Sequence, residues 1–299
     1  MNRFLTTPLT AALAALLLAT AAPAQKPAVA SRPTQTAGTI RPFETAQMDA
    51  NSWVGRFGAT NCSWFDMGDG VLLIDTGATA EDARNLLAEV RKTVPGKPLR
   101  WVVMTHLHSD SNNGFSAMLP TDVTLVVNRR AVENVRSLVH GGKGKTPTVL
   151  GVAEKLLLIT KTQSLEIHAT PGPAHTDHDL WVWAPASGVV CVGDLVTPGR
   201  CPMTSDHGTD PKGWLAVLDQ IEALHSQSLV PTRGPVTSEV TSEIRKTRAY
   251  LSRILEILGE LKAKNAPEAR ISGELFSRKI GDYCPSQLDA INGLELYPG

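Results

Sequence analysis

The sequence predicts an α/β protein, and three patterns along the chain support this fold class. Between residues 71 and 139, short apolar strands alternate with amphipathic helices, as expected for βα units. Between residues 156 and 192, four short β segments follow one another as a meander. One apolar strand ends directly in polar residues, and side chains two apart in an extended segment share a side. His106, His108 and Asp110 are therefore expected to converge as a metal site, although such residues also occupy ordinary turns after strands.

The composition is that of an ordinary globular chain. Its 299 residues are 42% hydrophobic and 19% charged, which is enough apolar material for a sizeable core. The 29 acidic and 29 basic side chains give a formal net charge of zero. This balance does not favour a nucleic-acid groove or an electrostatic membrane patch, so the predicted partner is a small-molecule substrate.

Residues 1–24 have the pattern of a secretory signal peptide. Arg3 precedes an apolar stretch, mainly Ala and Leu, from Leu9 to Ala22, and Ala22-Pro23-Ala24 supplies small residues for cleavage. The stretch is shorter than the ~20 residues of a membrane span, so no stable span is expected after cleavage. An uncleaved anchor is the alternative. The pattern predicts a periplasmic or secreted protein.

The rest of the chain is predicted to form one folded domain after a linker. Residues 25–38 are rich in Ala, Pro, Gln and Thr, which is typical of a flexible leader. The folded domain is expected to cover residues 39–299, beginning near Ile40. It includes a C-terminal helical extension at 237–299, in which a helix from Ser238 to Lys264 carries an apolar stripe.

The first predicted elements are a hairpin and a helix. Residues 59–75 are expected to form a β-hairpin around the Asp-Gly turn at 66–70. Thr79 and Asp82 resemble a capping box, and the helix that follows them is expected to stop at Pro95-Gly96.

A buried strand comes next and leads to the polar cluster. Leu99 to Thr105 is apolar in its middle, as expected of a strand covered on both faces, and His106 follows it directly. The later predicted elements are a short helix from Asn113, a strand at 123–127, a helix at 129–139, strands at 156–160, 165–170, 180–184 and 189–192, and a helix after Asp210.

The four cysteines do not form a sulfur-rich metal module. Cys62, Cys191, Cys201 and Cys284 lie far apart, without a Cys-x-x-Cys pair. Cys191 lies within an apolar run and is expected to be buried in the core. Export would permit a disulfide, for which Cys201 and Cys284 are the candidate pair.

Five short motifs occur in an order that resembles a known family. They are Asp75-Thr76-Gly77, His106-Leu107-His108-Ser109-Asp110, Gly172-Pro173-Ala174-His175-Thr176, Gly193-Asp194 and Pro231-Thr232-Arg233-Gly234. Over roughly residues 52–235 the sequence resembles the metallo-β-lactamase-fold hydrolases. The resemblance implies a four-layer αβ/βα sandwich, with two mixed sheets face to face, helices outside, and a metal site at one edge between the sheets.

The resemblance also implies a ligand set for one metal ion. His106, His108 and His175 would be the three nitrogen ligands of a zinc ion. Three imidazoles with one open position are typical of a catalytic zinc, which lowers the pKa of bound water to ~7.

Three carboxylates receive further roles from the resemblance. Asp194 would be the bridging carboxylate between two metal positions. Asp110 would contribute to the metal site, orient the attacking water and accept its proton. Asp75 is expected to brace the loops by hydrogen bonds instead of binding metal.

Two positions depart from the family pattern at the second metal site. Ser111 follows Asp110 where the family has His, and Arg233 replaces His in the closing motif. Because Arg has no lone pair to give a metal, the sequence predicts one zinc ion, with two as the alternative. Arg233 is expected to act at the active site by pairing with Asp110 or Asp194. Contact with an anionic substrate group, or a plain surface pair, are the alternatives.

Two further histidines lie near these motifs. His178 follows His175 by three residues, and His207 lies in a loop after Asp194. Either side chain is a candidate for restoring a nitrogen ligand to a second metal. The other interpretation is a polar residue in a loop that lines the substrate groove.

The predicted function is that of an exported zinc-dependent hydrolase. Activated water would attack an ester, lactone, thioester or β-lactam type substrate. A periplasmic β-lactamase is the sharper alternative. A degenerate member that binds a ligand or partner without turnover is another, because two metal-ligand positions are changed.

Overall fold

Two mixed β-sheets form the centre of the fold in this computed structural model, which describes residues 44–118, 122–140, 146–204 and 208–265. The expected start near Ile40, the leader, the signal peptide and His207 lie outside the described residues. The C-terminal extension is described as far as residue 265.

The first sheet has seven strands in sequential order, and the pairing changes from antiparallel to parallel at the fourth strand. The first four strands pair antiparallel, and the fourth to the seventh pair parallel. The strands are β1 (Thr45–Asp49), β2 (Ser52–Phe57), β3 (Thr60–Asp66), β4 (Val71–Ile74), β5 (Leu99–Val103), β6 (Thr124–Asn128) and β7 (Thr148–Val152). The predicted hairpin is confirmed as β3 and β4, whereas β1, β2 and β7 were not predicted.

The second sheet has five strands in the order β12-β11-β10-β9-β8. Its strands are β8 (Lys155–Ile159), β9 (Ser164–Ala169), β10 (Leu180–Ala184), β11 (Val189–Gly193) and β12 (Ser228–Pro231). β8 to β11 pair antiparallel, which confirms the predicted meander, and β11 pairs parallel with β12.

Five α-helices are assigned among the described residues. They are α1 (Ala80–Thr93), α2 (Ser109–Asn112), α3 (Val132–His140), α4 (Pro211–Glu222) and α5 (Val240–Ala263). The capping box of α1 is confirmed, since Thr79 Oγ1 accepts from the amide of Asp82 and the Asp82 carboxylate accepts from the amide of Thr79. The helix predicted at 129–139 is divided into a 3₁₀ turn, Arg129–Ala131, and α3, and the short helix after Asn113 is a 3₁₀ helix, Asn113–Met118.

Three apolar clusters separate four layers. In β4, Leu72 and Ile74 belong to the cluster between the sheets, whereas Val71 and Leu73 belong to the cluster under α1 and α3. Because successive side chains point to opposite faces, a strand covered on both faces must be apolar throughout. The third cluster lies between the second sheet and the helices α4 and α5. The predicted α/β sandwich of mixed sheets flanked by helices is confirmed.

The apolar stripe of α5 packs as expected. Ile244, Leu251, Ile254, Leu258 and Leu261 are all buried in the cluster that α5 shares with α4 and the second sheet. The helix therefore belongs to the sandwich, beginning two residues later than predicted.

The cysteines differ in their chemistry. Cys191 is buried, as predicted, and burial raises the pKa of its thiol to about 12. Cys201 is disulfide-bonded, and Cys284, its predicted partner, lies outside the described residues. Within the described ranges, no helix has the length and apolar character required to cross a membrane.

Candidate metal centre

The site residues follow strands that end at a shared edge of the two sheets. β4 and β5 are parallel neighbours, and they lead to Asp75 and His106. β11 and β12 are parallel neighbours in the other sheet, and they lead to Asp194 and Arg233. His175 lies in the loop between β9 and β10. Parallel strands bring their carboxyl ends to the same edge, which is why these polar residues meet.

Four side chains form a group capable of holding a metal ion. His106, His108, His175 and Asp194 each offer one ligand atom, and these atoms all lie within 4.8 Å of one another. His175 Nε2 is 3.3 Å from His108 Nδ1 and 3.6 Å from Asp194 Oδ2, while His106 Nε2 is 3.5 Å from that oxygen. The structure thus brings together four of the five predicted ligands.

One hydrogen bond, on the side of the ring away from the ligand group, fixes the tautomer of His175. Its Nδ1 lies 3.1 Å from the carbonyl oxygen of Met203, which can only accept a proton. Nδ1 must therefore carry the hydrogen of the neutral ring, and the lone pair is left on Nε2, the atom that faces the cluster.

The tautomer of His106 is fixed through the hydroxyl of Thr105, which lies between the ring and Asp75. The hydroxyl of Thr105 donates to the carboxylate of Asp75, at 2.9 Å from Oδ2, and its oxygen lies 2.9 Å from His106 Nδ1. With its own hydrogen directed to Asp75, the hydroxyl accepts from Nδ1. The Nε2 lone pair of His106 therefore also faces the cluster.

Asp75 braces the loops, as predicted. Its carboxylate accepts from the Thr105 amide at 2.9 Å, from Asn112 Nδ2 at 2.8 Å and from Thr232 Oγ1 at 2.8 Å. Burial raises the pKa of Asp75 to about 6, although these hydrogen bonds oppose the rise. The residue has a positive φ of 59°, so its position depends on this surrounding network.

Burial keeps the imidazoles in the form that binds metal. It lowers the pKa of His175 to about 4, and it holds the pKa of His106 well below its ordinary value despite the nearby Asp194 carboxylate. At neutral pH both rings are uncharged, and a neutral imidazole with a free lone pair is a metal ligand.

Arg233 bridges two carboxylates beside the cluster. Its Nε donates to Asp194 Oδ2 at 2.9 Å, its Nη2 donates to the same oxygen, and its Nη1 lies 2.5 Å from Asp110 Oδ2. Burial alone would raise the pKa of Asp194, but His106, His175 and Arg233 hold it below the ordinary range. Because the two imidazoles are neutral at pH 7, Arg233 is the lasting positive charge among them. The predicted pairing of Arg233 is present with both carboxylates.

Asn61 holds the loop that presents Arg233. Its side-chain amide donates to the carbonyls of Pro231 at 2.9 Å and Gly234 at 2.8 Å, and its backbone amide donates to Thr232 O at 2.8 Å. Asn61 is buried, and its bond to Pro231 O is shielded from water, whereas its bond to Gly234 O is partly buried. Asn61, near the start of β3, therefore fixes the segment 231–234.

Two glycines allow the close approach of these segments. A Cβ on Gly193, just before Asp194, would lie 2.9 Å from Thr105 Cβ, and one on Gly234 would lie 2.4 Å from Pro198 O. Both glycines have positive φ, at 60° and 104°. In the Gly193-Asp194 and Arg233-Gly234 motifs, the glycine thus serves backbone packing, and its charged neighbour serves the chemistry of the site.

Asp110 lies outside the group of four ligands. Its side chain is 47% exposed and paired with Arg233, and its backbone carbonyl accepts from Thr60 Oγ1 at 2.6 Å. α2 begins at Ser109, and this turn of helix directs Asp110 toward Arg233. A direct role of Asp110 in metal binding stays a prediction.

Ser111 occupies the position where the family pattern has His. It is fully buried, and its Oγ lies 3.4 Å from His106 Nε2 and 3.5 Å from Asp110 Oδ1. A hydroxyl at this point reaches the cluster but offers no imidazole nitrogen.

His178 is engaged elsewhere. Its Nε2 accepts from the backbone amide of Leu107 at 3.3 Å, and its Nδ1 contacts the carboxylate of Asp177. Nε2 therefore connects two loops and Nδ1 pairs within its own loop, and His178 does not belong to the group of four ligands. His207, the other candidate, lies outside the described residues.

Several residues of the site carried no recognised signal in the sequence. Thr105, Asn112 and Thr232 converge on Asp75, and Asn61 holds the Arg233 loop. Thr105 and Asn112 lie on either side of the segment from His106 to Asp110, so a search for donors near the ligands would have found them. Asn61 is separated from its acceptors by about 170 residues, and local sequence does not reveal it.

Comparison with known proteins agrees with this architecture. Residues 55–232 match the family model described as the metallo-beta-lactamase superfamily. This chain belongs to that superfamily. The resemblance drawn from the five motifs is therefore confirmed.

Similar proteins include a curated enzyme and solved structures of the superfamily. The chain is 24% identical over 238 residues to a linear primary-alkylsulfatase from Pseudomonas sp. (strain ATCC 19151), covering 62% of this chain and 44% of that enzyme. It thus spans less than half the length of that relative.

Two solved structures illustrate the shared fold. A metallo-beta-lactamase from Pontibacter korlensis gives a TM-score of 0.57 at 23% identity, over 70% of this chain and 98% of that one. The stereoselective inverting sec-alkylsulfatase Pisa1 from Pseudomonas sp. gives a TM-score of 0.68 at 16% identity, over 85% of this chain and 49% of that one.

The donor set of this superfamily member fits a metal ion that prefers nitrogen ligands. Two buried imidazoles of defined tautomer and a carboxylate face one another, together with His108. Asp194 Oδ1 is buried and accepts no hydrogen bond from any described residue, so it retains a lone pair for a cation.

Proposed function

We propose that this protein is a metal-dependent hydrolase that holds a single Zn²⁺ with His106, His108 and His175. The observation that carries the proposal is the convergence of these three rings with Asp194, whose ligand atoms all lie within 4.8 Å of one another. Uncharged imidazoles at neutral pH suit Zn²⁺, a borderline-soft ion with a preference for nitrogen and sulfur.

When bound, Zn²⁺ would supply Lewis acidity, lowering the pKa of water to about 7 and polarising the scissile group. The residues of the chain would provide the remaining functions. Asp110, whose side chain is 47% exposed, would orient water and accept its proton. Arg233 would hold Asp110 and Asp194 in place and limit their mutual repulsion.

The same arginine supports a count of one metal. A second cation beside Asp110 and Asp194 would meet the fixed charge of Arg233, which already pairs with both carboxylates and offsets one of their two negative charges. Both carboxylates raise the pKa of Arg233 above its ordinary value although burial opposes this, so it does not give up its proton.

The substrate class we propose is a small molecule with an ester, lactone, thioester or β-lactam bond. Sulfate esters are a second candidate class, because a curated relative and a solved structure that resemble this chain are alkylsulfatases. β-Lactam hydrolysis has support from the fold alone, since the metallo-beta-lactamase structures from Pontibacter korlensis and Hirschia baltica are 23% and 20% identical to this chain. A binding protein without turnover remains the alternative outcome.

We further propose that the protein is exported. The signal-like residues 1–24 motivate this, and the disulfide at Cys201 is in keeping with an oxidising compartment. Amino-terminal sequencing of the protein from a periplasmic or culture fraction would identify cleavage after about residue 24. Recovery of only full-length chain in the cytoplasm would refute export.

A substrate panel with matched variants tests the catalytic proposal. It should contain a chromogenic β-lactam, a lactone, a thioester, aryl and alkyl esters, and aryl and alkyl sulfates. We expect turnover of at least one class, lost in His108→Ala and on chelation. His225→Asn is the control, because this exposed histidine lies outside the cluster and Asn tolerates its positive φ of 49°.

The outcomes separate the alternatives. Activity that survives His108→Ala would refute the metal site as the catalytic centre. Zinc binding by the wild-type chain, without turnover of any class in the panel, would favour the binding protein.

A further inference from the structure

We propose that Arg130 is a positioning residue for the metal centre, because its guanidinium fixes the loop that carries His175. The inference rests on the proposed function in one respect, namely that His175 is a metal ligand. The contacts of Arg130 themselves are features of the fold. Arg130 does not touch His175, so its effect would be transmitted through the loop backbone.

The guanidinium of Arg130 binds acceptors on both sides of His175. Nη2 donates to Thr170 O at 2.9 Å, Thr170 Oγ1 at 3.1 Å and Gly172 O at 3.0 Å. Nη1 lies 3.5 Å from Pro171 O, and Nε donates to Asp177 O. A single planar group with five donor hydrogens thus ties the start of the loop to its end.

The backbone of Arg130 is held next to the end of a strand of the first sheet. It follows β6, where the buried side chain of Asn128 accepts from the Arg130 amide at 3.0 Å and donates to Asp179 O at 3.0 Å. The loop leaves and re-enters the second sheet, between β9 and β10. Arg130 and Asn128 therefore set the position of this loop relative to the sheet that carries His106 and His108.

A separate contact ties the loop to the other ligands. His178 Nε2 accepts from the amide of Leu107, the residue between His106 and His108. The loop is therefore held before His175, by Arg130 at residues 170–172, and after it, by Arg130 at Asp177 and by the Leu107 amide at His178. A ligand ring held in this way loses little freedom when a metal binds, which favours affinity.

The exposure of Arg130 allows a clean test. Arg130 lies at the surface, so its replacement leaves no cavity, and Arg129 is an exposed arginine directly beside it. Arg130→Ala removes all of the contacts to the loop. Arg130→Lys keeps the charge but has one nitrogen, which cannot reach acceptors at both ends of the loop. Arg129→Ala is the matched control.

Two measurements on the full chain report the effect. The first is the Kd for Zn²⁺, obtained by competition with a chromogenic chelator. The second is amide hydrogen exchange over residues 170–179 in the metal-free protein. We expect Arg130→Ala to raise the Kd about tenfold, the lower end of the effect of residues that contact a metal ligand directly, and to speed exchange in that segment. Arg130→Lys should lie between it and the wild type, and Arg129→Ala should match the wild type.

The proposal is overturned if Arg130→Ala leaves both the Kd and the exchange at wild-type values, or if Arg129→Ala changes them equally. Faster exchange spread over all segments would also refute it, because that pattern indicates general destabilisation. If the wild-type chain binds no zinc, the proposed function fails, and exchange in the metal-free protein still decides whether Arg130 holds the loop.

Discussion

Arg233 binds the buried carboxylate of Asp194 through two nitrogens, Nε at 2.9 Å and Nη2, both directed at Oδ2. The side chain of Asp194 is 2% exposed and that of Arg233 is 17% exposed, so water contributes little to this pair. A third nitrogen of the same guanidinium reaches Asp110. A fixed cation thus lies among the carboxylates that the family pattern associates with a second metal.

Removal of this cation should destabilise the metal-free protein. Arg233→Met would leave Asp194 buried without its partner, and breaking a buried pair in this way costs about 3–5 kcal/mol. The unfolding free energy from urea titration measures this. Arg245→Met, at an exposed position, is the control and should change stability little.

A double variant makes the cause specific. Asp194→Asn combined with Arg233→Met removes both charges and should recover part of the lost stability. Equal losses in the double and single variants would contradict the assignment of Arg233 as the counter-charge of Asp194.

Asn61 should matter through the loop that it holds. Asn61→Ala removes the donors for Pro231 O and Gly234 O, and a buried carbonyl left without a partner costs about 1–3 kcal/mol. We expect lower stability and faster amide exchange over residues 231–234. Asn113→Ala, at an exposed position, should leave both unchanged. Unaltered exchange at 231–234 in Asn61→Ala would show that other contacts fix the loop.

Asp75 gives the stability a defined pH dependence. Burial raises its pKa from 3.8 to about 6, so the native state holds this proton more tightly than the unfolded state between those values. The corresponding stability is present at low pH and is lost as the pH rises through 6. Asp75→Asn cannot titrate and suits the positive φ of this position.

Comparing the wild type with Asp75→Asn isolates the contribution of the Asp75 carboxyl group. The unfolding free energy of the metal-free wild type, minus that of Asp75→Asn, should fall by about 2 kcal/mol between pH 4 and 7. Urea titrations at several pH values provide the measurement. A difference that stays constant over this range would show that folding does not raise the pKa of Asp75.

The sequence predicts those parts of the site that depend on order along the chain. His106, His108, His175 and Asp194 each follow or flank a strand, and the spacing of their motifs indicated that they would converge. β1 and β7 were missed because they are partly exposed, so their apolar patterns are weak. β2 is mostly buried, but Ser52, Gly55 and Arg56 interrupt its apolar pattern.

The parts that the sequence does not reveal depend on contacts between distant segments. Asn61 meets carbonyls about 170 residues away, and Arg130 meets carbonyls about 40 residues away. Both residues donate to backbone oxygens, which every residue possesses, so no side-chain pattern marks the acceptors. Only the packing of the two sheets brings these donors to the loops of the site.

The metal content of the purified protein tests the central claim most directly. Elemental analysis of the wild-type chain after equilibration with excess Zn²⁺ and removal of weakly bound ions should give one zinc per chain. Ser111→His combined with Arg233→His restores the family pattern and should bring the count toward two. Two zinc ions per wild-type chain, with Arg233 intact, would contradict the account.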